Sequence, residues 1–583
     1  MCAALAFLYF RQSLTAPFTS DGAGDVLQGQ AMLDGNPLLR GWWTTDVSFY
    51  TTELPEYALV TAIRGVAPNV QHICGALTYT LTVLLTALVA RGREWGAVGL
   101  CRAGVAVALT LALTVTGSVG LFLENPNHAG TAVPVLLFLL ILDHADPGAG
   151  NEAGLQAGGR IGGRLSRRWV IPAAACAVLL VAEIGDELTL AAAIVPLAAV
   201  CATRLVAGRR AERSSERVGE PDGKQRRAPA SLERLLLAAG VAAAVLAWLA
   251  NHLIRALGGF DLQPVNGIGV APLSRMPANA SLLWQGIVVL FGANQPGPPH
   301  QPQQIKTHPL LVAMADLHVA GLVLVLGGLV VAGLMLAGPV LGGPGLGDAA
   351  FRLRGDRLRT DRVTQVLVAA IVVLLAFGVF STLLRSSGYI HEVAVLMPLG
   401  TALAARVLVP LAADWLPGRL RTASVVVLGA WVMLAVAEVG YTATWPATPP
   451  AQQAVATWLA GQHEYDGLSG YWQATSTTVT SGGKVLVAGI TLPGESFTAQ
   501  SAPGQLMSNR ADAYQWESSA AWYQPTQRDA TFVIALTDPG TGSNGGVSVA
   551  AARATFGAPA AQHQIGNEVI MLYDYNLLTR VNQ

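Results

Sequence analysis

Charge is scarce in this chain. Lys, Arg, Asp and Glu make up 12% of its 583 residues, about half of the roughly 25% carried by soluble domains. The 36 basic and 36 acidic side chains cancel, so the balance gives no case for nucleic acid as a partner. Cysteine is sparse too. Cys2, Cys74, Cys101, Cys176 and Cys201 all lie in or beside apolar segments, which argues against a disulfide framework or a CxxC metal site. The apolar start, MCAALAFLYF, has no basic region before it and fits a signal peptide poorly. It is also shorter than the about 20 residues needed to cross a bilayer. It reads as the C-terminal part of a first membrane helix that begins upstream.

What the chain has instead is apolar length, with 52% hydrophobic residues. Runs fit for crossing a bilayer are His72 to Ala90, Ala103 to Leu123, Thr131 to Leu142, Trp169 to Ala182, Leu188 to Val206 and Leu235 to Leu253. Leu310 to Ala337, Val363 to Leu384, Val393 to Leu411 and Ala423 to Val439 follow. With the partial first segment, the expectation is about eleven spans in a polytopic α-helical membrane protein.

Arginine and lysine gather in alternate loops. Arg91 and Arg93 follow the second span, Arg160 to Arg168 the fourth, and Arg209 to Arg227 the sixth. Arg352 to Arg362 follow the eighth, and Arg419 and Arg421 the tenth. Positive charge marks the cytoplasmic side. The N-terminus is then expected inside and the C-terminus outside. The outer segments are a long first loop (15–71), the turns ENPNHAG and EIGDE, the stretch 258–308, and everything after about Thr442. LLWQGIVVLFGANQ (Leu282 to Gln295) is too short to span and reads as re-entrant or interfacial. The cytoplasmic stretch 207–234 is polar and charged, and its composition suits disorder.

Composition divides the chain into a membrane part, 1–444, and an extracytoplasmic α/β domain, 445–583. The second part has strand-like runs KVLVAGITL, ATFVIAL and EVIMLYDY between Gly-, Ser- and Thr-rich turns. PPAQQAVATWLAGQ reads as a helix with prolines before its first turn. Trp458, Tyr471, Trp472, Trp516, Trp522 and Tyr523 are either ordinary packing or a surface for stacking sugar rings.

The first outer loop holds most of the candidate chemistry. A helix over Asp21 to Leu33 puts Asp21, Asp25 and Gln28 on one face. Asp46, Glu53 and Glu56 follow, with only Arg40 to balance them up to that point. Asp21 also suits a helix N-terminus by capping and dipole. Two carboxylates four residues apart repel unless a cation or a donor hydroxyl sits between them. Glu124, Asn125, His128, Glu183, Asp186 and Glu187 lie near the same surface. Asp316 and His318 lie within a span and are expected to face the bundle interior. His252 and Arg255 end a span and read as snorkelling residues.

The order Asp21, Met32-Leu33-Asp34-Gly35, Phe49, Glu53-Leu54-Pro55 resembles the first outer loop of the GT-C type integral-membrane glycosyltransferases, such as lipid A aminoarabinose transferases and protein O-mannosyltransferases. In that family the loop runs Asp-(Glu), Met-Leu-x-x-Gly, Phe-x-Glu-x-Pro. The likeness covers topology over 1–444 and motif detail over about forty residues. Here Gly22 follows Asp21, so the second acid of many members is absent.

The resemblance implies a sugar moved, with inversion, from a polyprenyl-phosphate donor to an extracytoplasmic glycan, lipid or protein acceptor. Asp21 is then the general base or a metal ligand, and Glu53 the second choice. Arg385, in RSSGYIHEVAVLMPLG, is the donor-phosphate contact. Asp25, Asp46, Glu56, His128, Glu183, Asp186, His391 and Glu392 are secondary candidates. The one cofactor allowed is a divalent cation, Mg or Mn. Abundant Ala, Gly, Arg and Leu suggest a GC-rich bacterial genome, and so a bacterial cytoplasmic membrane. The competing classes are a transporter or flippase of envelope lipids, against which no duplicated half is visible, and a non-catalytic envelope protein.

Overall fold

The computed structural model describes residues 2–114, 117–124, 128–145, 161–218, 227–264, 269–293, 308–337, 361–384, 387–493, 510–538 and 546–582. It is mostly helical. The first helices are α1 (Cys2–Ser13), α2 (Ser20–Leu33), α3 (Leu54–Arg64), α4 (Asn69–Arg91), α5 (Ala97–Thr110), α6 (Ala132–Asp143) and α7 (Ile161–Gly185). Next come α8 (Val195–Val218), α9 (Arg227–Ala256), α10 (Met276–Leu290), α11 (Pro309–Ala337), α12 (Arg362–Phe380), α13 (Leu396–Trp415) and α14 (Gly418–Thr442).

Among the described residues, seven helical stretches are long and apolar enough to cross a membrane: α4, Leu190–Arg210, Ser231–Ala256, α11, α12, α13 and α14. At 1.5 Å per residue, a 23-residue helix such as α4 is about 35 Å long, which exceeds the hydrocarbon core. The outward faces suit lipid. Val425, Val426, Val427 and Met433 on α14 are exposed, as expected where hydrocarbon replaces water. Apolar stretches in α5, α6 and α7 are shorter.

The run expected to cross from Ala103 to Leu123 is interrupted. The helix ends at Thr110, and a separate π-helical turn covers Gly120–Glu124. The physical reason lies in other helices. Tyr79 donates to the Thr110 carbonyl, Tyr9 to Leu111 and Gln12 to Leu113. These side chains satisfy carbonyls that a continuing helix would otherwise use. Two further expectations change. Helix continues into 207–234, to Val218 and from Arg227. His318 is buried as expected, but Asp316, two residues earlier, is exposed because it falls on the opposite side of α11.

After α14 the chain adds α15 (Gln453–Gly461), α16 (Tyr471–Thr480) and α17 (Val549–Phe556). The strands among the described residues are β1 (Trp42–Thr44), β2 (Asp261–Leu262), β3 (Asp466–Ser469), β4 (Leu486–Thr491), β5 (Ala511–Ala513), β6 (Ser518–Ser519), β7 (Phe532–Leu536), β8 (Ala561–Ile565), β9 (Glu568–Leu572) and β10 (Val581–Asn582). One sheet has the order β10-β5-β4-β3-β7-β9-β8, with β3 parallel to both β4 and β7. A second joins β2, β1 and β6.

That second sheet ties three distant segments together, because β1 lies in the first loop and β6 in the C-terminal region. The apolar core says the same. Leu39, Trp42, Phe49 and Leu54 of the first loop share one cluster with Leu468, Ile490, Trp522, Tyr523 and Val533. Trp42 meets Trp522 edge to face. Most of the aromatic set is packing: Tyr471, Trp522 and Tyr523 are buried, and Trp458 stacks on His563.

Candidate functional site

Described parts of the first loop, of the turns around His128 and Asp186, and of the C-terminal region come together. α2 starts there. Thr19 caps it, accepting from the Gly22 amide at 3.2 Å. Its first turn is locked to α16, since the Ser20 hydroxyl donates to the carbonyls of Tyr471 and Trp472 at 2.9 and 2.8 Å. Asp21 therefore faces the C-terminal region. The Tyr471 hydroxyl lies in hydrogen-bond contact with Asp21 Oδ1 and, at 2.7 Å, with Glu517 Oε2.

Asp25 lies one turn further along α2. It is buried, and neither carboxylate oxygen has a hydrogen-bond partner. Glu53, just before α3, is buried with both oxygens unpartnered as well. Gln28 Oε1, the Tyr57 hydroxyl and Glu517 Oε1 complete a set of unpartnered buried atoms. Buried polar groups normally find a partner, so this concentration calls for an explanation. Gly130 makes room for Glu53: a Cβ there would sit 2.4 Å from Glu53 Oε1.

Burial raises all these carboxyls, but unequally. Asp21 is half-buried; burial pushes it up, while the Tyr471 hydrogen bond and the charge of His391 oppose the rise. Asp25 goes well above the usual range through burial, and Asp21 adds to it. Glu53 is raised strongly by burial; the adjacent Thr52 hydroxyl opposes the rise without reaching hydrogen-bond geometry, and the charges of Asp186 and Asp25 add to it. Glu517 is raised strongly by burial, then by Asp21 and Asp25. Glu56 is pushed up to about 7 by burial, although the Thr78 hydroxyl donates to it at 2.7 Å.

A second group sits beside the first and is organised by His128. Its Nδ1 is 3.1 Å from Asp186 Oδ2, and its Nε2 is 3.2 Å from Glu392 Oε2. Asp186 also accepts from the Thr131 hydroxyl and from the Leu188 amide at 2.9 Å. Burial opposes a charge on His128, but Glu392 and Asp186 outweigh it and push the imidazole up to about 10. Burial likewise opposes the Glu392 charge, but His128 and His391 hold it down to about 2. Asp46 is raised to about 6 by burial, against the His128 charge. Phe49 meets the His128 ring edge-on, and His391 stacks on it at 5.9 Å.

Among the described residues, five non-glycine residues have positive φ, and three of them are Phe49, His128 and Glu517. Strained backbone of this kind concentrates at functional sites.

The structure thus brings Asp21, Asp25 and Glu53 into one group, with Asp46, His128, Asp186 and His391 beside it. Glu56 lies on α3 and is tied to α4 through Thr78. Glu183 is buried at the end of α7 with Oε2 unpartnered. Arg385 lies outside the described residues. The sequence reading did not single out Glu517 for a role, and gave Tyr471 only as one aromatic among six. Nothing in a local motif couples positions 450 residues apart. Among the described residues no three His, Cys, Asp or Glu side chains form a group able to hold a metal ion. No family model matches the chain, and no curated protein matches it.

Proposed function

We propose that this protein is a membrane glycosyltransferase that moves a sugar from a polyprenyl-phosphate donor to a glycan, lipid or protein acceptor. The observation that carries the reading is the pair of buried, unpartnered carboxyls Asp25 and Glu53 beside Asp21. A cluster this rich in carboxyl oxygens suits a ligand that brings many hydroxyls. The helices beneath it suit a lipid-linked donor.

Within this reading Asp21 is the general base on the acceptor hydroxyl. It keeps a hydroxyl donor and a histidine charge that favour its ionised form, whereas Asp25 has neither. Neighbouring acids pushed apart in this way divide base and donor roles. Glu53 is the alternative base. Arg385 is assigned to the donor phosphate, where a cation stabilises the leaving group; that role stands on the family resemblance alone. In this reading, following the Lys and Arg pattern, this end of the bundle lies outside and the N-terminus inside.

The test is transfer in isolated bacterial membranes, using a polyprenyl-phosphate-linked hexose or pentose as donor. Asp21→Asn should lower transfer by about 10²- to 10⁴-fold, the range for loss of a general base. Wild-type rates in both Asp21→Asn and Glu53→Gln would end the proposal.

One observation favours the transporter reading. His318 on α11 and Glu438 on α14 are buried within spans, with Nε2 and Oε2 3.6 Å apart. Ionisable groups at that depth are functional suspects. Glu438→Gln should abolish lipid movement in reconstituted vesicles if the protein is a flippase, and leave transfer unchanged if it is not.

A further inference from the structure

The Tyr471 oxygen touches two carboxyl groups, Asp21 Oδ1 and Glu517 Oε2. A phenol has one proton to donate. If Tyr471 gives that proton to Asp21, then Glu517 can bond Tyr471 only by donating to it, and so must be protonated. If Tyr471 gives it to Glu517, then Asp21 must be the protonated partner, and it cannot act as a base. The geometry therefore holds two protons among three oxygens, and their order decides whether Asp21 is ionised.

We infer that Glu517 is the standing proton carrier of this chain, and that through Tyr471 the C-terminal region keeps Asp21 ionised. Three observations favour that order. Glu517 is the more buried of the two residues, at 1% exposure, while Asp21 is half-buried. Low-dielectric surroundings penalise the ionised form of the deeper group more. His391 lies near enough for its charge to favour an ionised Asp21. Finally, Glu517 is held by the fold. Its backbone is in the left-handed region at φ 46°, and Gly24 leaves the space its carboxyl occupies.

The groups facing the chain are accounted for from each packed element. α2 contributes Asp21 and Asp25, and α16 contributes Tyr471. The loop before β6 contributes Tyr514 and Glu517, and His391 faces Asp21 from the segment before α13. Glu53 and Tyr57 face Asp25 from the start of α3 and from α3 itself, and Cys74 faces it from α4. All but His391 and the Cys74 thiol are acids or phenols, so a proton retained on Glu517 limits the repulsion in the cluster.

Glu517 and Tyr471 are positioning residues here, and the inference rests on Asp21 being the base. The test does not need transfer activity. Infrared difference spectra are recorded on full-length protein in membranes near neutral pH, comparing wild type with Glu517→Gln, Asp21→Asn and Tyr471→Phe. Size-exclusion profiles in detergent select folded variants. The expected result is loss of one protonated-carboxyl C=O band in Glu517→Gln, its retention in Asp21→Asn, and a shift of that band in Tyr471→Phe. Raising the pH should remove the same band in wild type.

Loss of the band in Asp21→Asn but not in Glu517→Gln would overturn the assignment. So would a band in Tyr471→Phe identical to wild type. If the spectra agree and Asp21→Asn still transfers sugar normally, the proton assignment stands and the catalytic reading falls. If Asp21→Asn abolishes transfer and the spectra disagree, the reverse holds.

Discussion

A Cβ on Gly24 would lie 2.4 Å from Glu517 Oε2, a closer approach than side chains tolerate. Helix α2 therefore needs glycine at its fifth residue to let a carboxyl from the far end of the chain reach Tyr471. Gly24→Ala sets two effects against each other. Alanine favours a helix by about 1 kcal/mol, while overpacking costs about 1 to 3 kcal/mol. The net expectation is loss of up to about 2 kcal/mol and displacement of Glu517. Gly429→Ala is the control, since nothing lies within 4 Å of a Cβ there. Thermal unfolding in detergent should show a lower midpoint for the first variant and no drop for the second.

Asp25 bears on stability in the opposite direction. Its carboxyl is buried with no hydrogen-bond partner and a pKa well above the usual range, chiefly from burial. Ionisation is thus easier in the unfolded chain. Stability should fall as pH rises from the ordinary aspartate range towards the folded value. Asp25→Asn removes that loss and should raise the unfolding midpoint at pH 7 to 8, with little change near pH 4. A midpoint lowered at both pH values would show that the carboxyl has a partner it needs.

Much of the membrane part was legible in sequence because apolar length is a local property. The runs at His72, Leu310, Val363 and Ala423 correspond to α4, α11, α12 and α14 within a few residues. The break after Thr110 was not legible, because it is made by Tyr9, Gln12 and Tyr79 reaching across from other helices. The acids of the first loop were visible as a pattern, and the structure groups Asp21, Asp25 and Glu53. Their partners were not visible, because Tyr471 and Glu517 belong to a region that composition alone sets apart. Only the shared core of Leu39, Trp42 and Phe49 with Leu468 and Trp522 brings them back.

His128 joins four segments through Asp186, Glu392, Phe49 and His391. Its folded pKa of about 10 exceeds its ordinary 6.5. Its contribution is therefore complete below about 6.5 and lost as pH rises through about 10. Glu392 is depressed from 4.5 to about 2, so its part is complete above 4.5 and lost as pH falls through about 2. The latch should be strongest between about 4.5 and 6.5. His128→Gln leaves two buried carboxylates without their cation and should cost about 3 to 5 kcal/mol. Limited proteolysis of the 40–57 segment across pH 5 to 10 checks this, with wild type opening only at the alkaline end and His128→Gln open throughout.

The sidedness expected from the Lys and Arg pattern is open to direct labelling. Gln564 in β8 is exposed. Gln564→Cys should react with a membrane-impermeant maleimide in intact cells, above the background from native cysteines. Labelling only after the membrane is permeabilised would reverse the orientation.

The opposite end of the bundle makes a prediction independent of function. Arg406, buried on α13, donates to Asp143 at 2.9 Å, to Asp361 at 3.0 Å and to the Val89 carbonyl at 2.7 Å. Four helices converge on this one guanidinium: α4, α6, α13 and, through the Asp361 cap, α12. A guanidinium offers a planar fork that an ammonium lacks, so Arg406→Lys should not restore the contacts. Arg406→Leu strands two acids and should cost about 3 to 5 kcal/mol. Replacing Asp143 and Asp361 by Leu as well removes the stranded charges, and apolar replacement of a whole buried ion cluster is often neutral. The triple variant should therefore recover folded yield in detergent relative to Arg406→Leu alone. A triple variant as poorly folded as the single one would show that Arg406 acts mainly through the Val89 carbonyl.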